Sequence, residues 1–315
     1  MPKRNQLPLD VIELIKKYYN KIYVKKLADY KYSTEFLRDG KTIICCCYNN
    51  IELLCTDSGK SIKTLISHHD SVLSTAISPN GENIVTCSRN GTIELLNNIC
   101  SKTLEYPNCY HSSARFSPDG QIVVSWSNNT NIKLWNVSNG NCIKTLIGHF
   151  DGIRLVVFSP DGKTIISCSK DRTIKLWDIG KSYDECINTL SGHTDWVNSA
   201  RFSLDGQTIV SCSTDTTIKL WDISEAGNGQ CIKTLTGHTY SIRTVDFSPN
   251  GQIILSCSRD QTIKLWDVSI TSDNKCIKTL INNSKYDGFC SAEFSPDGQT
   301  ILSRTENGVV KIWYI

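Results

Sequence analysis

The stretch "SCSKDRTIKLWDI" at 167–179 returns as "SCSTDTTIKLWDI" at 211–223 and as "SCSRDQTIKLWDV" at 256–268. A chain that spells one unit repeatedly must fold into units that match one another, because each copy meets the next in the same way. Trp135, Trp177, Trp221, Trp266 and Trp313 mark the interval, in steps of 42, 44, 45 and 47 residues. Inside each interval the pattern is that of short strands. An apolar strand ends in "FSPDG". A strand like "TIISCS" follows, then a tight turn at an Asp, then "TIKLWD" with an apolar residue at every second position, then "CIKTL". A period of two is that of a half-buried strand. "SPDG", "SPNG" and "SLDG" place Pro and Gly where a hairpin must reverse. A repeat of this length with no helical periodicity predicts an all-β propeller.

The pattern closely resembles the WD-repeat family. "GHTDWVNSARFSLDGQTIVSCSTDTTIKLWD" at 192–222 is nearly the family consensus, and weaker copies fall into the same register from residues 33, 70, 110 and 289. The resemblance implies seven four-stranded antiparallel blades over about residues 22–315. The last copy stops at its third strand, "VVKIWYI", so the ring needs an outer strand from elsewhere. "KIYVKKL" at 21–27 reads like "CIKTL" and is expected to close the ring, which removes two sheet edges. The expected domains are therefore an N-terminal segment, 1–20, and a propeller, 21–315.

Carried over residue by residue, the resemblance implies a buried hydrogen-bond network in three blades: His149, Asp171 and Trp177; His193, Asp215 and Trp221; His238, Asp260 and Trp266. A Ser completes each set, either Ser167 or Ser169, Ser211 or Ser213, Ser256 or Ser258. The other copies depart from it. Leu54 and Leu96 replace Trp, Asn129 and Asn307 replace Asp, and Pro107 stands in place of His. Those blades are expected to rest on apolar packing.

The letters that vary beside the conserved ones lie in loops, where partners are met. In WD-repeat proteins the face formed by these loops commonly takes a peptide. The candidate binding face is Arg89, Phe150, Arg154, Lys170, Trp196, Asn198, Tyr240, Arg243 and Arg259. Aromatic and Arg side chains dominate interface energetics. The arginines favour an acidic or phosphorylated peptide, which guanidinium groups bind bidentately.

No catalytic site is read. His-Asp-Ser sets recur at structural positions with Trp as a fourth member, whereas a nucleophilic triad needs one site. No phosphate-binding loop, dinucleotide fingerprint or HExxH occurs. No cofactor is expected. The fifteen cysteines mostly fill repeat positions such as Cys168, Cys212 and Cys257, too far apart for bridges. The count is odd and no CxxC occurs, so neither a disulfide framework nor a metal site is expected.

Residues 1–31 carry a net charge of +5 and the rest about −2. The near-neutral propeller argues against nucleic acid, which needs a basic stripe on the domain. No apolar run is long enough to cross a bilayer, and the N-terminus is interrupted by Asp10, Glu13, Lys16 and Lys17. A monomeric cytoplasmic protein is expected, with the nucleus as the other compartment. "LPLDVIELIKKYYNKI" reads as a short amphipathic helix capped at Asp10. Its opening resembles that of an F-box, which implies a ubiquitin-ligase adaptor as a partner, although a full F-box is longer than this stretch. The alternative is a helix lying against the edge of the propeller.

Overall fold

The computed structural model describes residues 24–29, 33–66, 70–97, 101–104, 113–181, 186–268, 276–284 and 286–315. The helix expected within 1–20 lies outside them. Seven four-stranded antiparallel sheets are formed. In six of them the strands follow chain order from the inside of the ring outward. Blade 5, for example, runs Val197–Phe202, Thr208–Ser213, Ile218–Asp222, Gln230–Leu235. Blade 7 is composite. Its inner three strands are Phe289–Phe294, Thr300–Thr305 and Val309–Tyr314, and its outer strand is Val24–Asp29, with Val24 opposite Trp313 and Asp29 opposite Val309. The closing strand thus extends two residues beyond the expected 21–27, and residues 21–23 lie outside the described part.

Local chemistry explains the hairpins. In "SPDG" of blade 4, Ser159 Oγ donates to Asp161 Oδ1 at 2.6 Å and accepts from Thr164 N at 3.0 Å. Asp161 Oδ1 also takes the Lys163 N–H at 3.1 Å. Gly162 supplies the left-handed φ of +72° that this reversal needs.

The core lies in the seams between blades. The large residue of the third strand packs backward onto the preceding blade: Trp177 of blade 4 meets Val124, Trp126 and Leu134 of blade 3. The repeated "GH" belongs to the same contact. A Cβ on Gly148 would come within 3.0 Å of the Trp177 ring, and one on Gly192 within 3.2 Å of Trp221. The two Leu departures behave differently. Leu54 is buried between blades 7 and 1 beside Leu302, Val310 and Ile312. Leu96 is only half-buried, and among the described residues the apolar core of the seam between blades 1 and 2 is made of Ile44, Cys46, Ile51 and Val72. A cavity of about 760 Å³ opens there, walled by Leu37, Leu53, Leu65, Ile77, Ile84 and Leu96.

Candidate functional site at the mouth of the central channel

The strands of a blade alternate in direction. The loop entering each inner strand and the turn between the second and third strands therefore lie at the same end of the ring. The network residues hold those two loops together. In blade 5, Asp215 Oδ2 accepts from His193 Nδ1 at 2.8 Å and from Thr194 N at 3.0 Å, while Oδ1 accepts from Thr217 Oγ1 at 2.7 Å. His193 Nε2 lies 2.8 Å from Ser211 Oγ, and Trp221 Nε1 donates to the same oxygen at 2.8 Å. Blade 4 repeats this with His149, Ser167, Asp171 and Trp177, and blade 6 with His238, Ser256, Asp260 and Trp266. The bridging serine is thus the first of each pair. The second, Ser169, Ser213 or Ser258, accepts the N–H of the turn Asp and donates to a carbonyl of the entering loop. Burial pushes the Asp171, Asp215 and Asp260 carboxyls up, but the His and Thr hydrogen bonds outweigh it and hold all three well below the usual carboxylate range.

The His–Ser distances are those of a nucleophilic triad. The serines, however, are fully buried and their oxygens already accept the indole N–H. Such a hydroxyl meets no substrate, and the arrangement works as a clamp. Two blades without the His keep half of it: Trp135 Nε1 donates to Ser125 Oγ at 2.8 Å and Trp313 Nε1 to Ser303 Oγ at 2.7 Å.

The nine candidate face residues divide by environment. Phe150, Tyr240 and Trp196 project from entering loops of blades 4, 6 and 5 and are 90%, 59% and 42% exposed. Lys170 Nζ sits 5.0 Å over the Trp196 ring. Arg89 is exposed in blade 2, and its N–H donates to Ser71 O. Asn198 is buried and ties two blades: its Nδ2 donates to Ile242 O at 2.8 Å and Thr214 Oγ1 at 3.0 Å. Arg243 and Arg259 converge on one carboxylate, Glu306, Arg243 at 3.5 Å. Arg154 borders the channel, which has a volume of about 500 Å³. Burial and the neighbouring Arg243 and Arg259 lower the proton affinity of its guanidinium.

Sequence reasoning missed Glu306 and a second layer deeper in the channel. The residue just before the Phe or Ile that ends each inner strand reads Glu35, Ala76, Arg115, Val157, Arg201, Asp246, Glu293 around the ring. Arg115 pairs with Glu35 across the channel at 3.0 Å, and Arg201 approaches Asp246 at 3.9 Å. Phe36 N donates to Glu293 Oε1 at 2.6 Å, joining the first and last blades. Burial, and then the Glu35 carboxylate, push Glu293 up to about 8. Aligning the repeats column by column exposes this charged layer, with the two arginines in blades 3 and 5 and the three acids in the successive blades 6, 7 and 1. One end of the channel is thus lined by this charged layer, while the other carries arginines and exposed aromatics.

Comparison with known proteins agrees with this geometry. The family model described as "WD domain, G-beta repeat" matches residues 59–96, 100–136, 140–178, 184–222, 229–267 and 274–314. Each matched stretch takes in the outer strand of one blade and three strands of the next. Nuclear distribution protein PAC1 of Candida tropicalis is 37% identical over 76 residues, which is 22% of this chain and 15% of that protein. The matched repeats take in well over half of the sequence, and the chain belongs to the WD-repeat family, whose propellers generally serve as scaffolds for protein interaction.

Proposed function

We propose that the protein is a non-catalytic interaction scaffold that holds a segment of a partner protein against the loop-bearing mouth of its channel. The observation that carries this reading is that Phe150, Trp196 and Tyr240 are exposed on entering loops of three successive blades, at the end of the ring where Arg154, Arg243 and Arg259 lie. Exposed aromatics beside Arg are the composition of an interface centre. A reducing cytoplasmic setting suits the cysteines. The described ones form no disulfide, and burial pushes Cys168 and Cys257 up to about 12, so these two act as apolar filling. The ubiquitin-ligase alternative rests on residues 1–20, outside the described part, and no described feature favours it.

The test is affinity capture from cell lysate followed by mass spectrometry. The Phe150→Ser, Trp196→Ala, Tyr240→Ser triple variant should lose the partners that the wild type retains. Leu204→Ser removes an exposed apolar residue from the opposite face and should retain them. Loss with Leu204→Ser and retention with the triple variant would place the interface on the other face and end this reading.

A further inference from the structure

Arg154 Nε, Arg243 Nε, Asn198 Oδ1 and Ser199 Oγ are buried with no hydrogen-bond partner among the described residues. All four lie near the start of the inner strands of blades 4, 5 and 6. A β-bulge sits at each of these places, between Ile153 and Leu155, Val197 and Ser199, and Ile242 and Thr244. The bulge turns Ile153, Val197 and Ile242 into the core and leaves Arg154, Asn198 and Arg243 as the inserted residues. Bulges re-aim side chains in this way at functional edges.

The charge at this place is out of balance. The charges acting on Arg154 are those of Arg243 and Arg259, both positive. Glu306 answers Arg243 and Arg259 together. Three guanidinium groups therefore face one carboxylate. Around the neighbouring Cys290, Arg304 and Asp287 contribute one further charge of each sign and leave the excess unchanged. Cations held this close without a counter-charge are costly, so the arrangement is satisfied by an anion. Two excess positive charges match a phosphate dianion better than a carboxylate. The forked donors of Arg suit its oxygens. Asn198 adds a second requirement. Its Nδ2 is committed to Ile242 O and Thr214 Oγ1, so its Oδ1 is the acceptor left over. An acceptor beside an anion site calls for an N–H on the ligand, which a peptide main chain supplies and a free phosphate does not.

We infer that the mouth of the channel is a receptor for a phosphorylated side chain on the partner segment. The phosphate lies among Arg154, Arg243 and Arg259, and a main-chain N–H next to it is accepted by Asn198 Oδ1. This rests on the scaffold reading above and names what the mouth recognises.

Three fluorescent peptide pools with random flanks and a fixed central phosphoserine, serine or glutamate are titrated with the full chain, followed by polarisation. In parallel, melting is compared in inorganic phosphate and in chloride at equal ionic strength. The phosphoserine pool binds about tenfold or more tighter than the serine pool, and inorganic phosphate competes with it. Arg154→Gln and Arg243→Gln each weaken it by about ten- to a hundredfold. Phosphate raises the melting temperature of the wild type over chloride but not that of Arg154→Gln. The Arg154→Gln variant melts at or above the wild-type temperature, since a repelled cation has been removed, so its loss of binding is not a loss of fold. Equal binding of the phosphoserine and serine pools refutes the phosphate anchor, yet leaves the scaffold reading standing if the aromatic triple variant abolishes both. Phosphate protection with no gain from peptide, binding unaffected by Arg154→Gln, or no response in either assay each overturns the inference.

Discussion

Removing Ser211 should cost more than removing Ser125, and the structure says why. An indole N–H can only donate, so Ser211 Oγ accepts from Trp221 Nε1, and its own proton goes to His193 Nε2. His193 Nδ1–H then donates to Asp215 Oδ2. Every link runs in one direction, Trp to Ser to His to Asp, and each is 2.8 Å. Ser211→Ala leaves two buried polar atoms without partners, the indole N–H and His193 Nε2. At about 1–3 kcal/mol for each stranded group, the loss is about 2–6 kcal/mol. Ser125 is equally buried and also accepts an indole N–H at 2.8 Å, but its blade has Pro107 in place of the His. Ser125→Ala strands one group, at about 1–3 kcal/mol. The two substitutions delete the same atom from equivalent strands, so their difference isolates the histidine link. Equilibrium urea unfolding followed by circular dichroism measures both, provided the m-values stay equal. Equal losses for the two variants, or losses below about 0.5 kcal/mol, would refute the relay as a source of stability.

Three further outcomes are expected. Thr216 is a β-branched residue at φ +69° in the turn after Asp215, so Thr216→Gly should stabilise by about 1 kcal/mol in thermal unfolding despite the added chain entropy; a loss would show that the turn is unstrained. Leu96→Trp together with Thr86→Ser supplies the missing indole and its acceptor at the open seam between blades 1 and 2, and filling the cavity there should add about 0.5–2 kcal/mol; destabilisation would mean that the seam cannot take the ring. Glu293 has its folded pKa raised above the unfolded value of about 4.3. Its contribution is therefore fully present below that value and lost as pH rises towards 8, so the melting temperature of the wild type should fall between pH 5 and 8 more steeply than that of Glu293→Gln, and parallel slopes would remove Glu293 as the cause.

What the sequence makes legible follows the physics of each feature. The strands, hairpins and ring number are carried by residues whose chemistry is local: Pro and Gly in the turns, alternation along "TIKLWD", and the strand missing from the last unit. The clamp residues are equally legible, because each copy must fit its neighbour and so the letters recur. Which serine of "SCS" joins the clamp depends on which face of the strand looks towards the Trp. The pairing register decides that, and composition does not. The blade with Leu54 and the blade with Leu96 look alike in sequence, yet one seam is closed and the other open, because the outcome depends on what the preceding blade offers.

The channel mouth is hidden for a more specific reason. Alternation along an inner strand is counted from the Phe that ends it. Counted back from Phe158, Val157 and Leu155 face the lumen, and so would Ile153, with Arg154 directed into the core. The same count buries Asn198 and Arg243 and exposes Val197 and Ile242. The structure reverses the assignments of the three apolar residues, since Ile153, Val197 and Ile242 are 3%, 0% and 0% exposed. Of the bulge residues, Arg154 and Arg243 are only partly buried, while Asn198 stays buried between two blades. One extra residue in a strand inverts the faces of everything beyond it. The signal is nevertheless present in the letters, as an apolar residue followed at once by a polar one: "IR" at 153, "VN" at 197 and "IR" at 242. The same bulge occurs in blades 2 and 7, where Leu73 and Cys290 are the inserted residues. The core's demand for the apolar residue before it thus accompanies the bulge in all five blades, and a polar inserted residue is particular to blades 4 to 6. The same bulge that satisfies the seam therefore delivers Arg154, Asn198 and Arg243 to the mouth of the channel.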